Sequence, residues 1–333
     1  MATDPHYFWM GRTLAQGLEE VTSNPEALSD GNFWAVTTTF EGEYSFARFS
    51  DISQSDFPKP VSAWNPLEGH WKTSLDKDEF CKYVETIRKA ISEGIVYQVN
   101  ACRELSITCE GQNLDELFYE ILRRNPAPYA AYLKLPELEI ASASPEKFMT
   151  RRGHLITTSP IKGTQVLSEK NFGSKDQAEN IMIVDLMRND FGRICKAGSV
   201  RVSALLRSED HPGLRHLVSD VEGELPPSIS WEQIFQALLP PGSVSGTPKS
   251  SALHLIAENE PTLRSLYCGT IGWVHGDQAE FSVAIRTFFK EKDEILRFGT
   301  GAGITWVSDA EEEWEETQLK ARTLLSIAGG TTT

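Results

Sequence analysis

The sequence predicts a mixed fold of helices and strands in one compact unit, and three observations carry that expectation. Some segments repeat apolar residues at the helical period, others are β-rich or alternating, and no internal repeat or low-complexity linker separates the two kinds. At 333 residues, with 40% hydrophobic and 24% charged residues, the chain can bury a large core. A net charge of −15 and a pI near 5.0 argue against non-specific nucleic-acid binding, which needs a basic footprint. No stretch approaches the roughly 18 apolar residues of a membrane helix, and Met1–His6 lacks a secretory pattern. Cys81, Cys102, Cys109, Cys195 and Cys268 show no CxxC or zinc spacing, as expected in a reducing cytoplasm without structural zinc.

Taken in order, residues 1–72 read as a β-rich N-terminal part of the same unit, with a strand over Phe33–Phe40 and proline-punctuated loops around Phe57–Pro60. The core of the chain, 73–330, has sharper patterns. Phe80, Val84, Ile87 and Ile91 mark a helix that Gly94 stops, and Ile95–Ala101 reads as a strand with Gln98 and Asn100 on one face. Asn113 with Glu116 opens a second helix whose Leu114, Leu117, Phe118 and Ile121 point inward. A third opens on Ser174 with Gln177 and breaks near Asn189–Gly192; a last long helix opens on Asp309 with Glu312 and buries Trp314, Ala321 and Leu325. Pro241–Thr247 and Gly299–Gly303 read as loops of small residues, the first leading into a helix with Thr247 as N-cap and Pro248 at its first position.

Several residues carry possible chemistry, each beside a plainer reading. Lys162 stands between Pro160 and Gly163, where the backbone is constrained, so it is either a held nucleophile or a solvated turn lysine. Asp176 with Glu179, and Glu313 with Glu316, are i, i+3 carboxylate pairs; two facing helices carrying them would suit Mg²⁺, although Glu316 also makes an ordinary i, i+4 pair with Lys320. Gly299–Gly303 fits neither a Walker loop nor a dinucleotide fingerprint, but its N–H groups could cradle a carboxylate. Arg286 on an apolar strand implies either a captured carboxylate or a structural ion pair, and His216 either a general acid or a core histidine.

Seven strings then combine: Gly94–Asn100, Ser142–Phe148, Pro160–Thr164, Ala178–Asp190, Gly242–Lys249, Ala284–Thr287, and Gly301–Ile304 with Glu313–Thr317. In this order and spacing they resemble the chorismate-utilising enzymes, which include anthranilate, aminodeoxychorismate, isochorismate and salicylate synthases. The resemblance covers about residue 75 to the end. It implies an α+β fold of two packed antiparallel β-sheets flanked by helices. Where isochorismate and salicylate synthases carry a water-activating lysine, this chain has Gln98, which cannot take a proton from water at neutral pH. Lys162 stands where anthranilate synthases usually have alanine, so Pro-Ile-Lys-Gly-Thr resembles aminodeoxychorismate synthase component I.

That resemblance implies a transferase making 4-amino-4-deoxychorismate for p-aminobenzoate and folate synthesis. Lys162 would attack chorismate at C2, Glu146 would protonate the departing C4 hydroxyl, and ammonia would then add at C4 and expel the lysine. By the same resemblance Glu179 and Glu316 ligate Mg²⁺ with Asp176 and Glu313 acting through water, and His216 is the active-site histidine. Gln98, Gly163, Thr164, Ser243, Lys249, Tyr267, Arg286, Gly301 and Gly303 match substrate-binding positions. No glutaminase signature is present, so ammonia is expected from a glutamine amidotransferase subunit. The competing expectations are anthranilate synthase component I, another aminating enzyme, or a non-catalytic chorismate-binding subunit. Asp176 and Ser243 depart from the usual glutamate and threonine, and the segment after Thr164 lacks the usual arginines, which bears on the lid over Lys162.

Overall fold

The structure is a computed structural model that describes residues 5–166, 172–211 and 214–332. Two antiparallel sheets make its frame. The first runs, by hydrogen-bonded neighbours, through Gln98–Thr108, Ile295–Ile304, Thr287–Glu291, Leu138–Ser144, Tyr129–Lys134, Tyr7–Met10 and Thr13–Thr22. The second runs through Tyr44–Gln54, Phe33–Thr38, Thr270–His275, Gln278–Val283, Lys147–Arg152, Leu155–Ser159, Leu214–Glu224 and Arg201–His211. Thr13–Thr22 joins them by pairing with Tyr7–Met10 on one edge and Tyr44–Gln54 on the other. N-terminal strands are therefore built into both sheets.

The first sheet is covered on both faces, and strand alternation shows it. Ala131, Leu133 and Ile140 join one apolar cluster, whereas their neighbours Ala130, Tyr132 and Ala141 join another. Six α-helices lie among the described residues: α1 (Lys77–Ser92), α2 (Leu114–Arg124), α3 (Ser174–Gly192), α4 (Trp231–Leu238), α5 (Lys249–Asn259) and α6 (Ala310–Ala328). The expected apolar stripes of α1 and α2 are buried, with Phe80, Val84, Ile87, Leu114, Leu117, Phe118 and Ile121 inside. In α6 Trp314, Ala321 and Leu325 face inward, and Asp309 caps the N–H groups of Glu311 and Glu312 at 3.0 and 3.1 Å.

Other helix ends differ from expectation because tertiary partners replace local ones. The α2 terminus is capped by Glu139, whose carboxylate accepts from Leu114 N–H at 2.8 Å, while Asn113 accepts instead from Lys134 at 2.7 Å. α3 has Gly173 in place of Ser174 as its N-cap, and Gln177 donates to the carbonyl of Phe172 at 3.0 Å. α5 begins at Lys249 with Pro248 as its cap, one residue later than expected. Gly299–Gly303 is not a loop. It is extended strand, paired residue for residue with Glu104–Asn100.

Twice, side by side, the chain crosses from one sheet to the other. It leaves the first sheet at Ser144 and enters the second at Lys147; it returns between Val283 and Thr287. The crossings are stapled together, Val283 N–H donating to Glu146 carbonyl at 3.0 Å and Ala143 N–H to Arg286 carbonyl at 3.0 Å. Glu146 and Arg286 sit on these two crossings.

Candidate active site

The site begins with a β-bulge. The strand Ile161–Val166 pairs with Leu214–Glu224, Ile161 opposite Val218 and Thr164 opposite His216, so one extra residue is accommodated where Lys162 and Gly163 lie. Gly163 takes φ +81°, and a Cβ there would stand 2.9 Å from Cβ of Asp176 and 3.1 Å from the Phe172 ring. Glycine thus lets the first turn of α3 press against the bulge. Three residues along the same helical face comes Glu179.

Lys162 is accordingly the centre of a group of charges. Burial pulls its ammonium below the usual lysine range, against the opposing pull of Glu146, then Glu179 and Glu316, with Lys320 adding to the lowering. Glu146 is buried and moves the other way: loss of hydration raises its carboxyl, offset by a hydrogen bond from Ser243 and by the charges of Lys162 and Lys320. The two shifts run toward each other, the direction that suits proton donation by the acid and nucleophilic attack by the amine. Ser243 lies in the short turn Gly242–Val244, which packs so tightly on α3 that a Cβ on Gly242 would stand 2.5 Å from Leu186 and 2.6 Å from Met187.

Arg286 is the second focus. Its backbone takes φ +51°, its side chain is largely shielded, and burial alone lowers its pKa. Among the described residues no carboxylate or carbonyl accepts from its guanidinium, which removes the structural ion pair as its explanation. Tyr267 is buried, with its ring lying so close over the strand that a Cβ on Gly299 would come within 2.0 Å of it; burial holds its hydroxyl protonated. A Cβ on Gly303 would stand 2.7 Å from Nε2 of Gln98, and one on Gly301 2.6 Å from the Ala101 carbonyl. These glycines provide room for neighbours rather than a turn. Gln98 Oε1 and Thr247 Oγ1, at paired strand positions, are both buried without a hydrogen-bond partner among the described residues.

Of the remaining expected residues, His216 is buried on the strand beside the bulge, and the backbone of Thr164 pairs with it. The segment after Thr164 in which a lid was expected falls partly on residues 167–171, outside the described residues. Lys249 has protein partners, donating to Asp190 at 2.8 Å and to the Leu238 carbonyl at 3.3 Å, so it ties α5 to α3. Glu313 is buried and accepts from Ser308 at 2.5 Å. Glu316 pairs with Lys320 at 2.6 Å, and Lys320 in turn donates to the Gly301 carbonyl at 2.9 Å. Lys320 was legible only as half of an i, i+4 pair, yet its charge reaches both Lys162 and Glu146. Arg264 gave no functional signal at all. Fully enclosed, it pairs with Glu260 at 2.6 Å and donates to the carbonyls of Val244 and Asn100 at 2.8 and 2.7 Å, fixing the Ser243 turn to the strand of Gln98.

No group of three or more His, Cys, Asp or Glu among the described residues forms a ready-made metal cage. Glu179 on α3 and Glu316 on α6 both act on Lys162, however, and one or two carboxylates completed by water and substrate oxygens are what Mg²⁺ accepts. The donor set therefore fits the ion.

Fold and site together define an α+β enzyme built around a half-buried lysine, a buried acid and an arginine without an acceptor among the described residues. The chain belongs to the chorismate binding enzyme family, whose model matches residues 28–326. Aminodeoxychorismate synthase component 1 of Klebsiella aerogenes is 35% identical over 278 residues, 80% of this chain and 61% of the relative. Anthranilate synthase component 1 of Saccharolobus solfataricus is also 35% identical, over 268 residues, 77% of this chain and 63% of the relative. The chain thus spans less than two thirds of the length of either relative. The crystal structure of anthranilate synthase component I from Streptococcus pneumoniae shares the fold, with a TM-score of 0.82 at 23% identity over 98% of this chain and 93% of that one. No helix among the described residues is long and apolar enough to cross a membrane.

Proposed function

We propose that this chain aminates chorismate at C4, forming 4-amino-4-deoxychorismate as component I of an aminodeoxychorismate synthase. The observation that carries the reading is the meeting of Lys162 on the bulge with Glu146 on the sheet crossing: burial lowers the lysine and raises the acid, the directions that nucleophilic attack and proton donation call for. In the first displacement the Lys162 amine forms a C–N bond at C2, the ring double bonds shift, and the C4 hydroxyl departs as water with a proton from Glu146. In the second, ammonia bonds to C4, the double bonds shift back, and the Lys162 amine leaves C2. Glu146, now a carboxylate, would take up the proton that the added ammonia releases.

Arg286 suits a substrate carboxylate because its guanidinium has no acceptor among the described residues. Gln98 Oε1 and Thr247 Oγ1, buried oxygens without donors, suit the N–H groups of ammonia and leave its lone pair free. Glu179 and Glu316 would hold Mg²⁺, with Asp176 and Glu313 behind them; the ion would offset two of the charges that oppose the lowering of Lys162 and would attract the ring carboxylate. His216, Tyr267, Ser243 and the strand glycines would line the rest of the substrate's place.

A second reading, anthranilate formation, is favoured by the equal identity to an anthranilate synthase. Incubation with chorismate, Mg²⁺ and ammonium at alkaline pH, followed by mass spectrometry and fluorescence, separates the two. Aminodeoxychorismate, converted to p-aminobenzoate only when a lyase is added, supports the first reading; fluorescent anthranilate as the main product would overturn it. We further propose that a glutaminase subunit supplies ammonia. The purified chain should then use glutamine only when such a subunit is present, and glutamine-dependent turnover by the chain alone would refute this.

A further inference from the structure

A crevice of about 150 Å³ opens between the start of α1 and the middle of α6. None of its lining residues belongs to the candidate active site. Asp76, Lys77 and Thr332 stand at its mouth, and Trp71, Leu105, Trp314 and Arg103 are buried at its floor. Arg103 is the unusual member. It is only 3% exposed, and no carboxylate among the described residues pairs with it. Its guanidinium lies over the Trp314 ring, 4.2 Å from the centroid, and donates to the hydroxyls of Thr317 and Thr73, both at 3.1 Å, and to Gln318 Oε1 at 2.9 Å.

A guanidinium has five N–H groups, and these neutral acceptors use three of them. Two N–H groups have no acceptor among the described residues, and the charge meets only neutral dipoles and the Trp314 ring in a buried place, where an ion without a counter-charge is costly. Loss of hydration accordingly draws the Arg103 pKa down to about 10. In a chain of net charge −15, a buried cation beside an open crevice offers local attraction to an anion that the surface as a whole repels. The apolar floor of Trp71 and Leu105 favours an anion that carries a flat or apolar body over a bare inorganic one.

We propose that this crevice binds a small aromatic carboxylate, whose carboxylate accepts from Arg103 and whose ring lies against Trp71 and Leu105. Bound there, the ligand sits beside Trp314 and Gln318 of α6, the helix that also carries Glu313 and Glu316. The site is independent of the reaction proposed above.

The test uses 4-fluorobenzoate as the probe, followed by ¹⁹F NMR on the full chain. Because Arg286 offers a second place for a carboxylate, binding is measured in the Arg286→Met background, where the crevice should still bind the probe. There, Arg103→Met should weaken binding at least tenfold, and Lys77→Glu, an exposed change at the mouth, should weaken it severalfold without touching the core. The uncharged 4-fluorobenzamide should bind at least tenfold more weakly than the acid. Equal binding of acid and amide, or unchanged affinity in Lys77→Glu and Arg103→Met, would overturn the proposal, as would loss of all binding in Arg286→Met alone.

Discussion

Arg286→Met offers the sharpest test of the active-site geometry, because activity and stability should move in different directions. Methionine keeps the length and the apolar stem and, like arginine, carries a Cβ at φ +51°, so the substitution isolates the guanidinium. In the free protein that guanidinium is shielded and has no acceptor among the described residues, so its removal deletes a desolvated charge and breaks no ion pair. The melting temperature should therefore hold or rise. With substrate bound the sign reverses, since truncating one partner of a buried, hydrogen-bonded charge pair costs about 2–5 kcal/mol. At about 1.4 kcal/mol per factor of ten, KM for chorismate should rise from about thirtyfold to several thousandfold. Arg286→Lys should fall between, since it keeps the charge and loses the two-pronged fork. Initial rates against chorismate at saturating ammonium, with scanning fluorimetry beside them, give both readouts. A wild-type KM would remove Arg286 from substrate binding, and a large drop in melting temperature would reveal a structural role that the geometry does not suggest.

Three further outcomes follow from the same site. Lys162→Ala should abolish aminodeoxychorismate formation while chorismate still binds, as measured by calorimetry; undiminished turnover would reduce Lys162 to a structural position. Glu179→Gln and Glu316→Gln should each shift the Mg²⁺ activation curve to higher concentration and lower its plateau, and full wild-type activity in EDTA would refute the metal assignment. Gly163→Ala forces a Cβ to within 2.9 Å of Asp176 at φ +81°, so it should cost more than about 1 kcal/mol in chemical denaturation and reduce turnover further by displacing α3 from the bulge. Wild-type stability together with wild-type turnover would show that the close approach is unimportant.

What the sequence made legible was whatever local periodicity or backbone chemistry encodes. The stripes of α1, α2 and α6 were visible because one buried face repeats every three or four residues, and the Pro160–Gly163 constraint was visible because each residue limits or frees its own φ. Local caps failed where a distant group could satisfy the same N–H, as Glu139 does for Leu114. Gly299–Gly303 looked like a loop because glycine lowers strand propensity; it is strand because it pairs in register with Glu104–Asn100, and glycine serves there because the Tyr267 ring and the Gln98 amide leave no room for a Cβ. Among site residues, the carboxylates of α3 and α6 could be paired from spacing, whereas the service of Arg264 could not. Its bonds reach Val244 and Asn100, and no local pattern signals contacts at such separations.

The same reasoning accounts for why the chemistry gathers where it does. Inside a ladder each backbone group is paired and each side chain is committed to one face, so a regular strand has little freedom to aim a polar group into a gap. Four residues of the site sit where that regularity lapses: Glu146 and Arg286 on the two sheet crossings, Lys162 on the bulge, Ser243 in the turn against α3. Such places are ordinarily soft. Here each is fastened by contacts that do not involve the functional atoms: the crossings by Val283 to Glu146 and Ala143 to Arg286, the bulge by the packing of Gly163 on Asp176, and the turn by Arg264. The backbones that carry these side chains are thus held, and Arg286 is the extreme case, rigid in its backbone and without a protein acceptor among the described residues. A group in that condition lowers the stability of the free protein and gains its counter-charge only with a ligand. That is the arrangement expected of a site that spends folding stability on pre-organisation for a carboxylate-bearing substrate.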